Sequence, residues 1–182
     1  MAVLTFAPRA ARWLVVAVAV AAASGHAFAQ DSLETEIKAV FLYNFAKYVD
    51  WPSAPPGSSE SIRICAPNHP SLLTLVRAAV QGETIGGRPL SAVELDGLDG
   101  ARDCHIIFVG DAGTPDASAW ISAVRGRPTL TVADGRLADG VVIAFVRDHN
   151  RVRFDINRAA ARKQSLNVSS KLLRLARRIE EP

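Results

Sequence analysis

Apolar residues recur at helical spacing from Asp31 or Ser32 to about Asp50, with Ile37, Val40, Phe41, Asn44, Phe45 and Tyr48 on one face. Asp31 and Ser32 are N-cap types. Trp51-Pro52 closes the segment, because the residue before a proline is pushed out of helical geometry. Ser53 to Glu60, with two prolines and a glycine, predicts a surface loop, and the alternation of Ser61 to Ala66 predicts a strand. Pro70, at a first helical turn, opens a second helix over Ser71 to Val80 that carries Leu72, Leu73, Leu75 and Val76. Gly82 and Gly86-Gly87 mark turns before an alternating strand, Arg88 to Leu95. Cys104 to Val109 is apolar without alternation, the pattern of a strand buried on both faces. Gly110 to Thr114 reads as a loop, Pro115 to Val124 as a third helix and Thr129 to Val132 as a strand. Val141 to Val146 and Val152 to Ile156 flank Asp148-His149-Asn150, a hairpin signal. Helical patterns over Arg158 to Lys163 and Val168 to Ile179 follow, the last with Leu172, Leu173, Leu175, Ala176 and Ile179 on its apolar face. Helices and strands alternate early and a hairpin comes late. The expected fold is α/β: a single layered domain with a mixed, mostly parallel sheet flanked by helices.

The N-terminus reads differently. Arg9 and Arg12 precede an uncharged run, Trp13 to Gly25, which at 13 residues is too short to span a bilayer. Ala27-Phe28-Ala29 then offers small residues for cleavage before Gln30. Residues 1–29 are therefore expected to be a cleaved export signal and 30–182 a soluble mature domain outside the cytoplasm. Without Arg9 and Arg12 the net charge of +3 falls close to neutrality, which leaves no electrostatic case for binding nucleic acid. With 49% apolar and 21% charged residues the chain is neither disordered nor low in complexity.

Cys65 and Cys104 show no C-x-x-C and no histidine at zinc-ligand spacing. In an oxidising compartment such a pair most often forms one bridge, and two buried thiols are the alternative. The predicted boundaries resist the bridge. Cys65 is late in its strand and Cys104 first in its own, so level parallel neighbours would hold them several residues out of register. A disulfide needs Cα atoms ~4.4–6.8 Å apart. Either the strands are staggered or the boundaries differ.

Candidate chemistry is sparse. His69 falls in a loop, His105 in the buried run and His149 in the hairpin turn. Cys104 and His105, adjacent on a strand, would point to opposite faces and form no dyad. There is no Gly-x-Ser-x-Gly elbow and no Walker sequence. Gly110-Asp111-Ala112-Gly113-Thr114 lies between a strand and a helix, where α/β folds hold phosphates, so Asp111 and Thr114 are candidate ligand contacts. The three-glycine fingerprint is missing there. Asp134 and Asp139 flank a turn with no third ligand for a metal. Lys171, Arg174, Arg177 and Arg178 read as a solvated face near a helix C-terminus. No cofactor or metal is expected.

Three stretches carry a resemblance. Lys38-Ala39-Val40-Phe41-Leu42-Tyr43-Asn44-Phe45-Ala46-Lys47-Tyr48-Val49-Asp50-Trp51-Pro52 resembles the opening signature of the YfiR family of exported bacterial proteins. Val152-Arg153-Phe154-Asp155-Ile156-Asn157, with Ala160 and Ala161, is similar to its penultimate strand and the turn beyond. Leu166 to Ala176 is similar to its closing helix, and Ile64-Cys65, Cys104 to Phe108 and Leu130 to Asp134 fit in order and spacing.

The resemblance implies a non-enzymatic periplasmic regulator that represses a membrane-bound diguanylate cyclase by binding its periplasmic sensor portion. That action lowers cyclic di-GMP and biofilm formation. It also implies a homodimer, and it places Cys65 and Cys104 where the family carries a structural disulfide. The chain lacks the further cysteine pair found near the late hairpin of the best-known member, and it has Asp139-Gly140 where the family has paired glycines. A redox-sensing role loses its usual pair. The expected partner surface is Phe145, Phe154, Ile156, Asn157, Leu166 and Asn167. Each has a plainer role beside it: core for the two phenylalanines, helix caps for the two asparagines. Tyr43 and Asn44 could line a pocket, or Asn44 could satisfy a buried backbone group. Two readings compete with repression: a periplasmic small-ligand or cell-wall-binding sensor with its pocket after Val109, and a degenerate exported enzyme using His69 or His105.

Overall fold

The computed structural model describes residues 31–52 and 61–181. The export-signal reading of 1–29 and the loop reading of Ser53 to Glu60 lie outside the described residues. A first helix, α1, spans 31–48 and runs into the short strand β1 (Val49–Asp50). Then come β2 (Ile62–Cys65), α2 (Pro70–Val80), β3 (Thr84–Ile85), β4 (Arg88–Val93) and a 3₁₀ turn, Leu98–Asp103. The middle of the chain supplies β5 (Ile106–Asp111), α3 (Pro115–Ala123) and β6 (Leu130–Asp134). The hairpin β7 (Ile143–Asp148) and β8 (Arg151–Asn157) leads to α4 (Arg158–Lys163), β9 (Asn167–Val168), α5 (Ser170–Leu175) and β10 (Arg178–Glu180).

Among the described residues eight strands form one sheet in the order β10-β8-β7-β6-β5-β2-β4-β3. The run from β4 through β7 is parallel, β7 and β8 pair antiparallel, and β10 lies parallel to β8. This is the expected mixed, mostly parallel sheet. A separate two-stranded ladder joins β1 to β9, with Val49 opposite Val168.

Alternate residues of β5 divide between two cores, Ile106 and Phe108 on one face and Ile107 and Val109 on the other. That is the double burial its unbroken apolar run predicts. The larger core takes Leu42 and Phe45 of α1 and Leu72, Leu73 and Val76 of α2. The smaller takes Ala117, Trp120 and Ile121 of α3 with Ala101 and both cysteines. The helices of the β2–α2–β4 and β5–α3–β6 units thus lie on opposite faces, and the strand order reverses between β2 and β5.

Three boundaries depart from expectation. The buried stripe of α1 is Ala39, Leu42, Phe45 and Ala46, continued by Val49 of β1, while Val40 is 52% exposed. The two alanines let the helix approach the sheet closely, and they carry too little apolar area to stand out beside Phe41 or Val40. β5 begins at Ile106, because the 3₁₀ turn brings the chain to the sheet and Cys104 terminates it. The last helix ends at Leu175, and Ile179, expected on its apolar face, lies in β10.

Candidate functional site

The reversal of strand order sets where a cleft would open, at the carboxyl ends of β2 and β5. Side chains fill that place. Lys38 reaches across from α1 to Asp134 Oδ1 at 2.8 Å. The His69 ring meets Phe108 edge-on, with centroids 4.9 Å apart. Gly110 has φ +72° where the β5–β6 register shifts, and a Cβ there would stand 2.5 Å from His69 Nε2, so glycine serves both the irregularity in the strand and the ring. Asn68 Nδ2 donates to Asp116 Oδ2 at 2.9 Å. Burial pushes the His69 pKa below its ordinary range, opposed by Asp134 and Asp116 and helped by Lys38. The ring is therefore neutral near pH 7.

Asp111 and Thr114, the candidate ligand contacts, are engaged in the local turn. Asp111 Oδ1 accepts from the Gly113 N–H at 2.8 Å. Thr114 Oγ1 donates to the Asp111 carbonyl at 3.0 Å and caps α3 by accepting from the Ala117 N–H at 3.2 Å. Among the described residues no group of three or more His, Cys, Asp or Glu side chains could hold a metal ion.

Beneath this end of β2, Cys65 is bonded to Cys104 with Cα atoms 6.1 Å apart. The register difficulty disappears because the boundaries differ. Cys65 lies opposite Ile107 in the ladder, whereas Cys104 closes the 3₁₀ turn before β5 starts. Replacing both cysteines by alanine is expected to cost roughly 2–4 kcal/mol, read as a lower urea midpoint with a steeper slope, because the unfolded chain expands without the bridge.

His105 follows at once, half-buried at the opposite end of β5. Its Nδ1 accepts from the Arg63 N–H at 3.2 Å, and its Nε2 lies 2.8 Å from Arg88 Nη2. Trp51 Nε1 donates to the His105 carbonyl at 3.2 Å, which ties the end of the first helical segment to the sheet. Burial first, then the Arg88 and Arg63 charges, lower the His105 pKa from 6.5 to about 4. The unfolded chain takes up this proton first, so the contribution to stability is complete above about pH 6.5 and is lost as pH falls to about 4. Solvent screening leaves an effect of roughly 1–3 kcal/mol. Urea unfolding at several pH values should show this slope, and His105→Gln should flatten it. A slope unchanged in the variant would assign the effect elsewhere.

The six expected partner residues divide. Phe145 (2% exposed), Phe154, Ile156 and Leu166 are buried, so none offers side-chain surface to a partner, and their plainer role as core is the one occupied. Phe145 and Phe154 pack with Phe41 and Phe45 at centroid separations of 5.2–5.9 Å. Asn157 Oδ1 caps α4 by accepting from the Ala160 N–H at 2.8 Å. Asn167 is exposed and donates to Asp50 Oδ2 at 3.2 Å, an added tie across the β1–β9 ladder. Tyr43 donates to Glu83 and lies under Lys47 Nζ, 4.0 Å from its ring centroid.

One feature escaped the sequence reading. Asp155 is 1% exposed, and its carboxylate accepts from Arg177 Nε at 2.9 Å and Nη2 at 2.6 Å, with Arg178 Nη2 at 3.4 Å. Arg177 and Arg178 therefore do not belong to a solvated helix face. An aspartate between Phe154 and Ile156 in an apolar strand was the available signal, since a buried carboxylate needs a cationic partner.

A family model described as YfiR/HmsC-like matches residues 35–177. The chain belongs to the YfiR/HmsC-like family. YfiR-like proteins are periplasmic regulators associated with diguanylate cyclases, a regulatory and not a catalytic family. No curated protein matches the chain. Among solved structures, a conserved domain protein from Vibrio cholerae O1 biovar El Tor is similar at 13% identity and a TM-score of 0.46. That likeness covers 65% of this chain and 54% of the Vibrio chain. The YfiR/HmsC-like match takes in both cysteines, the late hairpin and α5, and no described helix is long and apolar enough to cross a membrane.

Proposed function

We propose that this YfiR/HmsC-like chain is an exported regulator without catalytic activity of its own. It represses a membrane-bound diguanylate cyclase by binding the cyclase's periplasmic portion as a homodimer, and so lowers cyclic di-GMP and biofilm formation. The family match over residues 35–177 carries this reading. Export would follow from residues 1–29, read as a cleaved leader. Repression requires that the dimer bind one state of the cyclase more tightly than the other, since equal affinity shifts nothing. With Phe145, Phe154, Ile156 and Leu166 buried, the direct contacts in this region fall to exposed polar groups such as Asn167, and the four apolar side chains shape the surface from beneath.

The test is cellular cyclic di-GMP in the source bacterium with the gene deleted and restored in trans. The level should rise on deletion and fall with the full chain, but not with a version lacking residues 2–29. An unchanged level on deletion overturns the reading. A small-ligand sensor is the second reading, favoured by the reversal of strand order between β2 and β5. It expects Asp111→Ala to abolish function at unchanged stability.

A further inference from the structure

The sheet ends on β10, and among the described residues nothing pairs with its outer side. Sheet edges template the addition of another strand, and a short, charged edge such as this one restricts that to a partner whose charges complement its own. This edge is held in place from both ends. Arg177 grips Asp155 just before it, and Glu181 Oε1 accepts from Arg158 Nη1 at 2.6 Å just after it. Arg178, Ile179 and Glu180 lie in register with Asp155, Ile156 and Asn157. Arg178 and Glu180 therefore share the Asp155 face, where their side chains already meet at 3.2 Å, and Ile179 is on the other face.

The order Arg-Ile-Glu is self-complementary about its centre. Antiparallel pairing of two copies around a two-fold axis at Ile179 sets Arg178 of each copy opposite Glu180 of the other. The four charges then alternate in sign on one face. On the other face Ile179, 37% exposed in the single chain, meets its own counterpart. We propose that β10 is the dimer edge of this protein and that its partner is a second copy, joined strand to strand into one continuous sheet. This rests on the dimeric reading given above and names the surface for it. Three residues a side bury far less than the ~1,200 Å² of a stable complex, so the dimer is weak and concentration-dependent.

Sedimentation velocity of the full chain, expressed with its own N-terminal segment and purified as the cell delivers it, tests the proposal over a wide concentration range. The wild-type protein should dimerise reversibly. Glu180→Arg sets like charges opposite each other at both positions and should weaken the dimer about ten-fold or more. Combining it with Arg178→Glu reverses every charge, restores the alternation and should recover the dimer, with thermal melts confirming that both variants fold. A dimer indifferent to Glu180→Arg overturns the edge and leaves the dimeric reading standing. Because Arg178 also faces Asp155, loss without recovery overturns the edge where the double variant melts as the wild type does. A wild-type protein monomeric at every concentration overturns both.

Discussion

Phe145→Ala is expected to cost about 3–5 kcal/mol, a large share of the 5–15 kcal/mol that holds a domain of this size folded. The ring is 2% exposed and lies at the junction of three elements. It packs on Phe41 and Phe45 of α1 and on Phe108 of β5, and it sits opposite Phe154 in the β7–β8 ladder. Truncation leaves a cavity where the first helix meets the sheet, and rigid aromatic neighbours cannot collapse into it. Urea unfolding should show the loss directly, and the periplasmic abundance of the variant should fall with it. Phe145→Leu separates packing from recognition, because it keeps most of the volume and should retain both stability and repression. A leucine variant as stable as wild type that no longer represses would mean that the buried ring shapes the partner surface from beneath and does more than hold the fold.

The same residues show how far the sequence could be read. The double burial of β5 and the β7–β8 hairpin were legible, because an unbroken apolar run announces the first and a turn signal between two strand patterns announces the second. The α4 span agreed residue for residue, since Asn157 caps a run of helix formers. The face of α1 was not, because Ala39 and Ala46 are buried through close approach, a tertiary fact that leaves no trace in local hydrophobicity. Phe145 and Phe154 carry two meanings at once in sequence. A large aromatic in a strand suits an interface anchor and a core residue equally, and only the position of α1 over them decides. Asp111 and Thr114 carry two meanings for a related reason. The residues that make a phosphate loop also make a capped turn, and here Asp111 Oδ1 and Thr114 Oγ1 serve the turn.

The Asp155 carboxylate was the hardest feature to foresee, and removing its partners should lower the stability of the fold. Arg177→Ala with Arg178→Ala leaves an ionised side chain at 1% exposure with no cation beside it. The desolvation of that carboxylate is then no longer compensated, although both arginines are themselves exposed on their outer side, so the urea midpoint should fall clearly. Arg177→Lys should recover only part of this, since an ammonium cannot make the two parallel bonds that Nε and Nη2 make to Oδ1 and Oδ2. Replacing the pair together, Asp155→Leu with Arg177→Leu, should be far milder than either single change, because no charge is then stranded. Urea midpoints of these three variants and of the two single leucine changes test the ordering, and amide exchange locates the damage. Protection should vanish first in β10 and at the outer side of β8, while β5 and β6 keep theirs. A loss below about 1 kcal/mol in the double alanine variant would mean that water reaches Asp155 and the pair is ordinary surface chemistry. A loss of the expected size makes residues 177–181 a structural clasp, held by one buried carboxylate on the hairpin.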